Sequence, residues 1–333
     1  MSILVTHPDR RPCRYGPLPR PVIALAALVL LFVTLGSEAR AAAPMVKTQA
    51  PAFYRMMLGT FEITALNDGV HGLKMGELLR GADAATIHRE LSEAYLEDPV
   101  QTSVNAFLIN TGTKLVLIDV GFGTLMGPEL GHVLTNLRAA GYQPENVDEI
   151  YITHLHRDHM GGLTQEGRAI FPKALVRAAK READFWLDMS NTSRVAGPLQ
   201  AQFPVAIASL RPYIESGRFS TFAGDVELVP GVRTLATSGH TPGHTCYVIE
   251  SAGQRMIILG DLIHIAAVQF NDPAVTLSFD TDQRSAAAQR ERIFRLAARE
   301  GDWIAGTHLS YPGIGHIRAL NNGYAWIPVN YIE

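Results

Sequence analysis

Three histidines and one aspartate fall within six residues, His154-Leu155-His156-Arg157-Asp158-His159, directly after the apolar run Glu149-Ile150-Tyr151-Ile152-Thr153. A short run of that kind reads as a buried strand, so the polar sextet stands where a strand leaves the core. Alternate residues of an extended chain point the same way, which lets His154 and His156 meet one metal ion from a single strand end. The chain then turns, and Asp158 with His159 can face a second ion. Imidazole and carboxylate suit borderline divalent cations, Zn2+ first, with Mn2+, Fe2+ or Co2+ as alternatives. Gly161-Gly162 lets the backbone pass close to the site. A surface turn that holds three histidines by chance is the bland alternative, and the apolar strand in front of the turn argues against it.

Six residues cannot fill two metal sites. Three further candidates each follow an apolar run. His240 lies in Ser238-Gly239-His240-Thr241-Pro242-Gly243-His244-Thr245, Asp261 closes Met256-Ile257-Ile258-Leu259-Gly260, and His308 follows Trp303-Ile304-Ala305-Gly306-Thr307. Taken singly each is ordinary, because strands often end in Gly-Asp and a lone histidine near a strand end is usually structural. The repeated arrangement, a strand that ends on a ligand-type side chain, makes them a set.

Short β-rich runs alternate with helical stretches from Phe61 onward. The expected strands are Phe61–Leu66, Val104–Asn110, Lys114–Asp119, Glu149–Thr153, Val226–Val229, Val232–Ala236, Thr245–Glu250, Met256–Leu259 and Trp303–Ala305. The expected helices are Leu130–Ala140, Ala178–Asp188, Ala206–Ser216 and Gln283–Arg299; the last places Ile293, Phe294, Leu296 and Ala297 on one face and arginines on the other. Runs 104–119 and 226–259 resemble hairpins, and 119–153 resembles strand–helix–strand. That mixture gives an α/β fold of two mixed sheets with helices outside, not a doubly wound parallel sheet. Residues 187–205 lack a period and read as a long loop, of the kind that walls active sites.

The N-terminus reads differently. Arg10, Arg11, Arg14 and Arg20 precede an apolar run from Val22 to Leu35, then Ala39-Arg40-Ala41-Ala42-Ala43. Basic region, short apolar region and small-residue cleavage site make a secretory signal. The run of about 14 residues is shorter than the roughly 20 a membrane-spanning helix needs, so no stable membrane anchor is expected. Residues 1–43 are thus expected to be a signal peptide and 44–333 the mature domain, periplasmic or secreted. Five of the 29 basic and two of the 32 acidic residues lie in that leader, which leaves 24 and 30 and a formal charge of −6. That balance recommends no nucleic-acid partner. Cys13 falls in the leader, so Cys246 is alone and the mature chain has no internal disulfide. A hydrophobic content of 47% is ample for one large core.

His154-x-His156-x-Asp158-His159, Gly239-His240, Gly260-Asp261 and Gly306-Thr307-His308, in that order, resemble the metallo-β-lactamase superfamily over residues from about 60 to the C-terminus. The resemblance implies an αβ/βα sandwich with two divalent metal ions at one edge. It places His154, His156 and His240 on one ion, Asp158, His159 and His308 on the other, and Asp261 between them. Asp119, before Gly121, matches an aspartate that orients the site without binding metal, and His244 a histidine that backs the ligands. Aspartate at 261 sets aside the cysteine-using β-lactamases, and His156 the diiron oxygen reductases, which have Glu there. Ala50–Gly59, Ala139–Pro144, Ala183–Leu187, Ala266–Phe270, Leu309–Arg318 and Pro328–Tyr331 further resemble methyl parathion hydrolase and its relatives. That likeness implies an exported homodimer with a hydrophobic pocket over the metals, and puts Trp186 in the pocket wall.

The departures bear on substrate. Met126 stands where that family has an aromatic pocket residue, while His264 and Phe279 each replace a leucine. A bulkier pocket holding an imidazole favours a small hydrophobic carbonyl ester, such as an aromatic lactone or aryl ester, with phosphotriester cleavage secondary. A metal-bridging hydroxide attacks the carbonyl carbon; Asp158 and Asp261 at the centre, and His264 as proton donor to the leaving group, are the catalytic candidates. Organophosphate hydrolysis as the main activity, a thioester hydrolase of the glyoxalase II type, and a non-catalytic zinc-binding protein are the alternatives.

Overall fold

The computed structural model describes residues 43–331. The expected signal segment lies outside them, Ala43 excepted. Contacts divide the chain into Met1–Gln49 and Ala50–Glu333, and the fold below belongs to the second unit. No helix among the described residues is long and apolar enough to cross a membrane.

Two seven-stranded sheets carry the fold, each ordered along the sheet as along the chain. The first holds β1 (Phe53–Leu58), β2 (Phe61–Leu73), β3 (Val100–Asn110), β4 (Leu115–Ile118), β5 (Glu149–Tyr151), β6 (Leu175–Ala179) and β7 (Phe219–Phe222). It is antiparallel through β4 and parallel from β4 to β7. The second holds β8 (Glu227–Val229), β9 (Val232–Ala236), β10 (Thr245–Ser251), β11 (Gln254–Ile258), β12 (Trp303–Ala305), β13 (Ile314–Ala319) and β14 (Tyr324–Pro328). It is antiparallel except for the parallel pair β11 and β12. The helices are α1 (Ala84–Glu93), α2 (Val133–Ala139), α3 (Lys180–Trp186), α4 (Gln202–Glu215) and α5 (Gln283–Glu300), with shorter helical turns between.

Strand alternation explains the layering. In β4, Val116 and Ile118 join the core between the sheets, while Leu115 and Leu117 face α2, α3 and α4 outside. In β10 and β11, Tyr247, Ile249, Met256 and Ile258 point between the sheets, and Cys246 and Ile257 pack outward under Ile293, Phe294 and Ala297 of α5. Period-2 chains with both faces apolar must be covered on both faces, and each fully buried aliphatic or aromatic side chain contributes about 1.5–3 kcal/mol. The helix α5 starts where the Asp282 carboxylate accepts the Ser285 N–H at 3.0 Å and ends at Gly301, which has φ +71°.

Every strand expected from the sequence is present, and the expected hairpins and strand–helix–strand unit are formed. The differences have reasons. Ala178 and Ala179 extend β6 and do not open the helix, which begins at Lys180. The stretch 187–205 is wound into 3-10 turns at Met189–Arg194 and Gly197–Ala201 before α4 begins at Gln202. Arg290 leaves the outer face of α5 and is wholly buried, its guanidinium donating to the carbonyls of Leu262, Pro273 and Val275.

Candidate metal centre

Side chains with ligand chemistry gather where the central parallel strands of both sheets end. His154, His156, Asp158 and His159 follow β5, Asp261 follows β11, His308 follows β12, and His240 lies in the turn between β9 and β10. The two edges are tied together by backbone. Thr245 N–H donates to the Thr153 carbonyl at 3.0 Å, Asn105 N–H to the Thr307 carbonyl at 2.9 Å, and the Tyr247 hydroxyl to the Ile152 carbonyl at 2.8 Å.

The seven candidates form two groups that share one residue: His154, His156, His240 and Asp261, and Asp158, His159, His308 and Asp261. Within each group the ligand atoms lie within 4.8 Å of one another. The Asp261 carboxylate is split between them. Its Oδ2 lies 3.5 Å from His154 Nε2 and 3.2 Å from His240 Nε2, while its Oδ1 lies 3.0 Å from His159 Nε2 and 3.1 Å from His308 Nε2. Asp158 Oδ2 stands 3.4 Å from both His159 Nε2 and His308 Nε2. The Nε2 atoms of His154 and His159 and Oδ1 of Asp261 are buried without a hydrogen-bond partner, and His156 turns its Nδ1 to His240 Nε2 at 3.1 Å. Buried polar atoms are nearly always satisfied, and inward-facing imidazole nitrogens around a carboxylate are what a divalent cation satisfies. The donor set fits such cations.

The outer faces of the rings are fixed. His159 Nδ1 lies 2.7 Å from Asp119 Oδ2, and Asp119 in turn accepts the Thr153 N–H and hydroxyl at 2.9 and 2.8 Å. Asp119 has φ +59°, a left-handed conformation that aspartate tolerates better than most residues. His240 Nδ1 lies 2.8 Å from Asp280 Oδ1, and His308 Nδ1 donates to the Ser103 carbonyl at 3.0 Å. Such partners set the tautomer and leave the inward nitrogen free to bind metal. His244 belongs to neither group. Its Nε2 accepts the Asp261 N–H at 3.0 Å and its Nδ1 meets the Thr237 hydroxyl at 2.8 Å, so it holds the Asp261 backbone. Gly260 has φ +55°, and a Cβ there would stand 2.7 Å from His244 Nε2; only glycine permits that approach.

The electrostatics are divided. Burial, reinforced by neighbouring imidazoles, holds His154 and His156 well below the usual histidine range, so both are neutral. Burial also opposes charge on His159, yet Asp261, Asp158 and Asp119 carry it well above that range. Against the same opposition, Asp261 and Asp280 raise His240 to about 9, and Asp261 and Asp158 raise His308 to about 10. Asp158 and Asp261 stay ionised: burial disfavours it, but the surrounding imidazoles hold both well below the carboxylate range. With no cation, protons on His159, His240 and His308 offset the charges of Asp158 and Asp261.

A cavity of about 250 Å³ opens over the centre, floored by His156, Asp158, Asp261 and His308 and walled by apolar groups that include Leu78, Val104, Phe122, Leu199 and Phe279. His264 lines it too, with Nε2 3.0 Å from Asp261 Oδ2. Burial lowers the His264 pKa, against the pull of Asp261. Residues Pro198, Leu199 and Gln202, within the long stretch expected to form a wall, line the cavity. Two expected pocket residues do not. Trp186 is 0% exposed, packed against Phe185 and Phe203 with ring centroids 5.0 and 4.7 Å away and set behind the His156 ring. It lies on the inner face of α3, where core packing claims the indole. Met126 packs with Val104, Phe122 and Leu130, and Phe122 takes the place over the centre.

Sequence reasoning missed Asp280, Glu182, Arg290, which lies 4.0 Å from Asp280 Oδ2, and Phe122 and His71, which line the cavity. Asp280 is one acid in the pair Asp280 and Asp282, and nothing in the sequence tells the carboxylate that backs His240 from the one that caps α5. Glu182 reads as an acid in a first helical turn. Phe122 follows Gly121 closely after Asp119, the one placement a reader could have used.

A model of the Metallo-beta-lactamase superfamily matches residues 100–308. An N-acyl homoserine lactonase from Bacillus cereus is 26% identical over 162 residues, 49% of this chain and 56% of that protein; the match thus spans little more than half of this relative's length. A solved hydrolase of the beta lactamase superfamily, AbOPH, is 36% identical with a TM-score of 0.82, covering 86% of this chain and 100% of that one. AidC, a dizinc quorum-quenching lactonase solved in complex with a product, is 26% identical with a TM-score of 0.79, covering 85% and 99%.

Proposed function

The chain belongs to the metallo-beta-lactamase superfamily, and from that premise we propose that it is a metal-dependent hydrolase that opens a lactone or cleaves an aryl ester at a centre of two divalent cations, zinc foremost. One observation carries this reading: Asp261 is divided between two groups of inward-facing imidazoles under an apolar cavity. The lactonase relatives and the dizinc neighbour support both the bond and the metal. His154, His156 and His240 would hold one cation, Asp158, His159 and His308 the other, and Asp261 both. When bound, such cations supply Lewis acidity, polarising a carbonyl oxygen and making water nucleophilic near neutral pH.

The chain's own residues do the rest. The apolar wall packs the hydrophobic part of an ester against the floor and excludes bulk water. Asp158, with 19% of its side chain exposed, faces the cavity ionised and takes the proton released as water adds to the carbonyl carbon, then returns it to the leaving oxygen. His264, with Nε2 3.0 Å from Asp261 Oδ2, keeps that carboxylate oriented from the substrate side. A second cleft of about 540 Å³ shares Thr102, His264 and His308 with the cavity and supports room for the other half of an ester. A wall mostly of apolar side chains, with Arg157 and His71 among its polar members, favours hydrophobic carbonyl esters, with phosphotriester cleavage secondary. On sequence grounds, the mature chain acts outside the cytoplasm as a homodimer, which signal cleavage and size-exclusion mass test directly.

The deciding experiment is a hydrolysis screen of zinc-loaded protein against acyl homoserine lactones, aryl lactones, thioesters, β-lactams and aryl phosphotriesters. Lactones or aryl esters should give the highest kcat/KM, and exhaustive chelation should abolish the activity. Full activity of metal-free protein sinks the reading. His264→Leu should shift the ratio of lactone to phosphotriester turnover; an unchanged ratio removes His264 from substrate selection.

A further inference from the structure

We propose that Glu182 is a positioning residue that assembles one half of the metal centre, the half made by His154, His156 and His240. The inference rests on the two-cation reading and assigns a residue outside both ligand groups.

Glu182 lies in the first turn of α3 and is 0% exposed. Its carboxylate has two backbone partners that come from different sheets. Oε1 accepts the N–H of Leu155, the residue between His154 and His156, at 2.9 Å. Oε2 accepts the N–H of Gly243, in the turn that carries His240, at 2.7 Å. A single carboxylate therefore spans the two loops whose imidazoles must converge. The approach is close: a Cβ on Gly243 would stand 2.3 Å from the Glu182 backbone nitrogen and 2.7 Å from its Cβ. Only a residue without a side chain lets the His240 turn press on the start of α3. His240 Nε2 and His156 Nδ1 meet at 3.1 Å on the inner side of this clamp.

The other half is held elsewhere. His159 is gripped by Asp119 and His308 by the Ser103 carbonyl, and Glu182 touches neither. Each Glu182 oxygen accepts one N–H, whereas a glutamine of the same shape must turn its NH2 toward one of those donors. A buried donor without an acceptor is disfavoured, and one loop moves away. Ligand geometry responds steeply to such partners, with metal affinity falling about 10- to 100-fold when one is removed.

The test is metal titration of the full chain with a competing chelator, with wild type and Glu182→Gln side by side. Wild type should take up two equivalents. Glu182→Gln should retain one of them at wild-type affinity and weaken the other about 10- to 100-fold. In a His240→Ala background Glu182→Gln should change the remaining equivalent little, and in a His308→Ala background it should weaken it, a coupling that a double-mutant cycle isolates. Gly243→Ala, which forces the same turn off α3, should reproduce the selective loss and serves if the Gln variant does not fold. Equal weakening of both equivalents, or a lowered Tm with both affinities intact, overturns the assignment. A wild-type chain that takes up no metal overturns the two-cation reading itself.

Discussion

Around Asp261 the inward-facing rings are gripped from behind by directional polar contacts: His159 by Asp119, His240 by Asp280, His308 by the Ser103 carbonyl. The cavity wall above has no such backing. Leu78, Val104, Phe122, Leu199 and Phe279 come from a helical turn, β3, two loops and a 3-10 turn, and they are held by apolar packing. Hydrogen bonds to buried charge are specific in distance and angle, and burial of apolar area is not. The floor is therefore fixed in chemistry and intolerant of change, while the wall is fixed in shape alone and free to vary between substrates.

The largest effect should come from the residue both groups share. Asp261→Ala removes the one carboxylate that both ligand groups share, and both metal equivalents should weaken together. Lewis-acid stabilisation contributes several kcal/mol, and about 1.4 kcal/mol is tenfold in rate, so kcat/KM should fall by on the order of 1000-fold or more. Metal content by elemental analysis and initial rates on the best substrate check this. Retention of both metals in Asp261→Ala contradicts the shared role.

Next in size is the coupling of metal to protons. In the metal-free chain His240, at about 9, and His308, at about 10, are protonated at neutral pH and must shed protons to bind a cation. Loading at pH 7 should release protons, and apparent affinity should rise with pH to about 9. Because both pKa values are raised above the unfolded value, their stabilisation is fully present below about pH 6.5 and fades as pH passes through 9 to 10. The metal-free Tm should thus fall across that window, and the loaded chain, whose protons are already displaced, should not follow it. Asp280→Asn removes a charge that raises His240, so it should reduce the proton release and weaken metal about 10- to 100-fold. Identical proton release in wild type and Asp280→Asn breaks the link between the two.

The same contrast explains what the sequence disclosed. The seven candidate ligands were legible because each stands at the end of an apolar strand, and four of them crowd into one turn. The layered fold was legible because strands such as Leu115–Ile118 and Thr245–Ser251 are apolar on both faces. Leu175–Ala179 was missed, its last two residues being taken into the helix after it, since two alanines carry no strand signal, and Phe219–Phe222 carries only a serine and a threonine between its aromatics. Helix α1 has only Ile87 and Leu91 buried, too narrow a stripe to stand out. Pocket residues were hardest. Trp186 and Met126 are large and apolar, which makes them equally good core, and only tertiary placement decides between core and cavity. Phe122 and Leu78 lie in the cavity for the same indistinct reason.

The smallest expected effects separate those two outcomes. Phe279→Ala opens the wall directly beside His264 and Asp261. A buried aromatic contributes about 1.5–3 kcal/mol, and a partly buried one less, so kcat/KM for a hydrophobic ester should fall about tenfold, mainly through KM, with metal content unchanged. Met126→Ala acts behind Phe122 and away from the cavity. It should lower Tm by a few degrees through lost packing, about 1 kcal/mol for a partly buried side chain, and change kcat/KM less than about twofold. A Met126→Ala variant whose substrate preference moves as far as that of Phe279→Ala returns Met126 to the wall and shows that Phe122 yields its place when substrate binds.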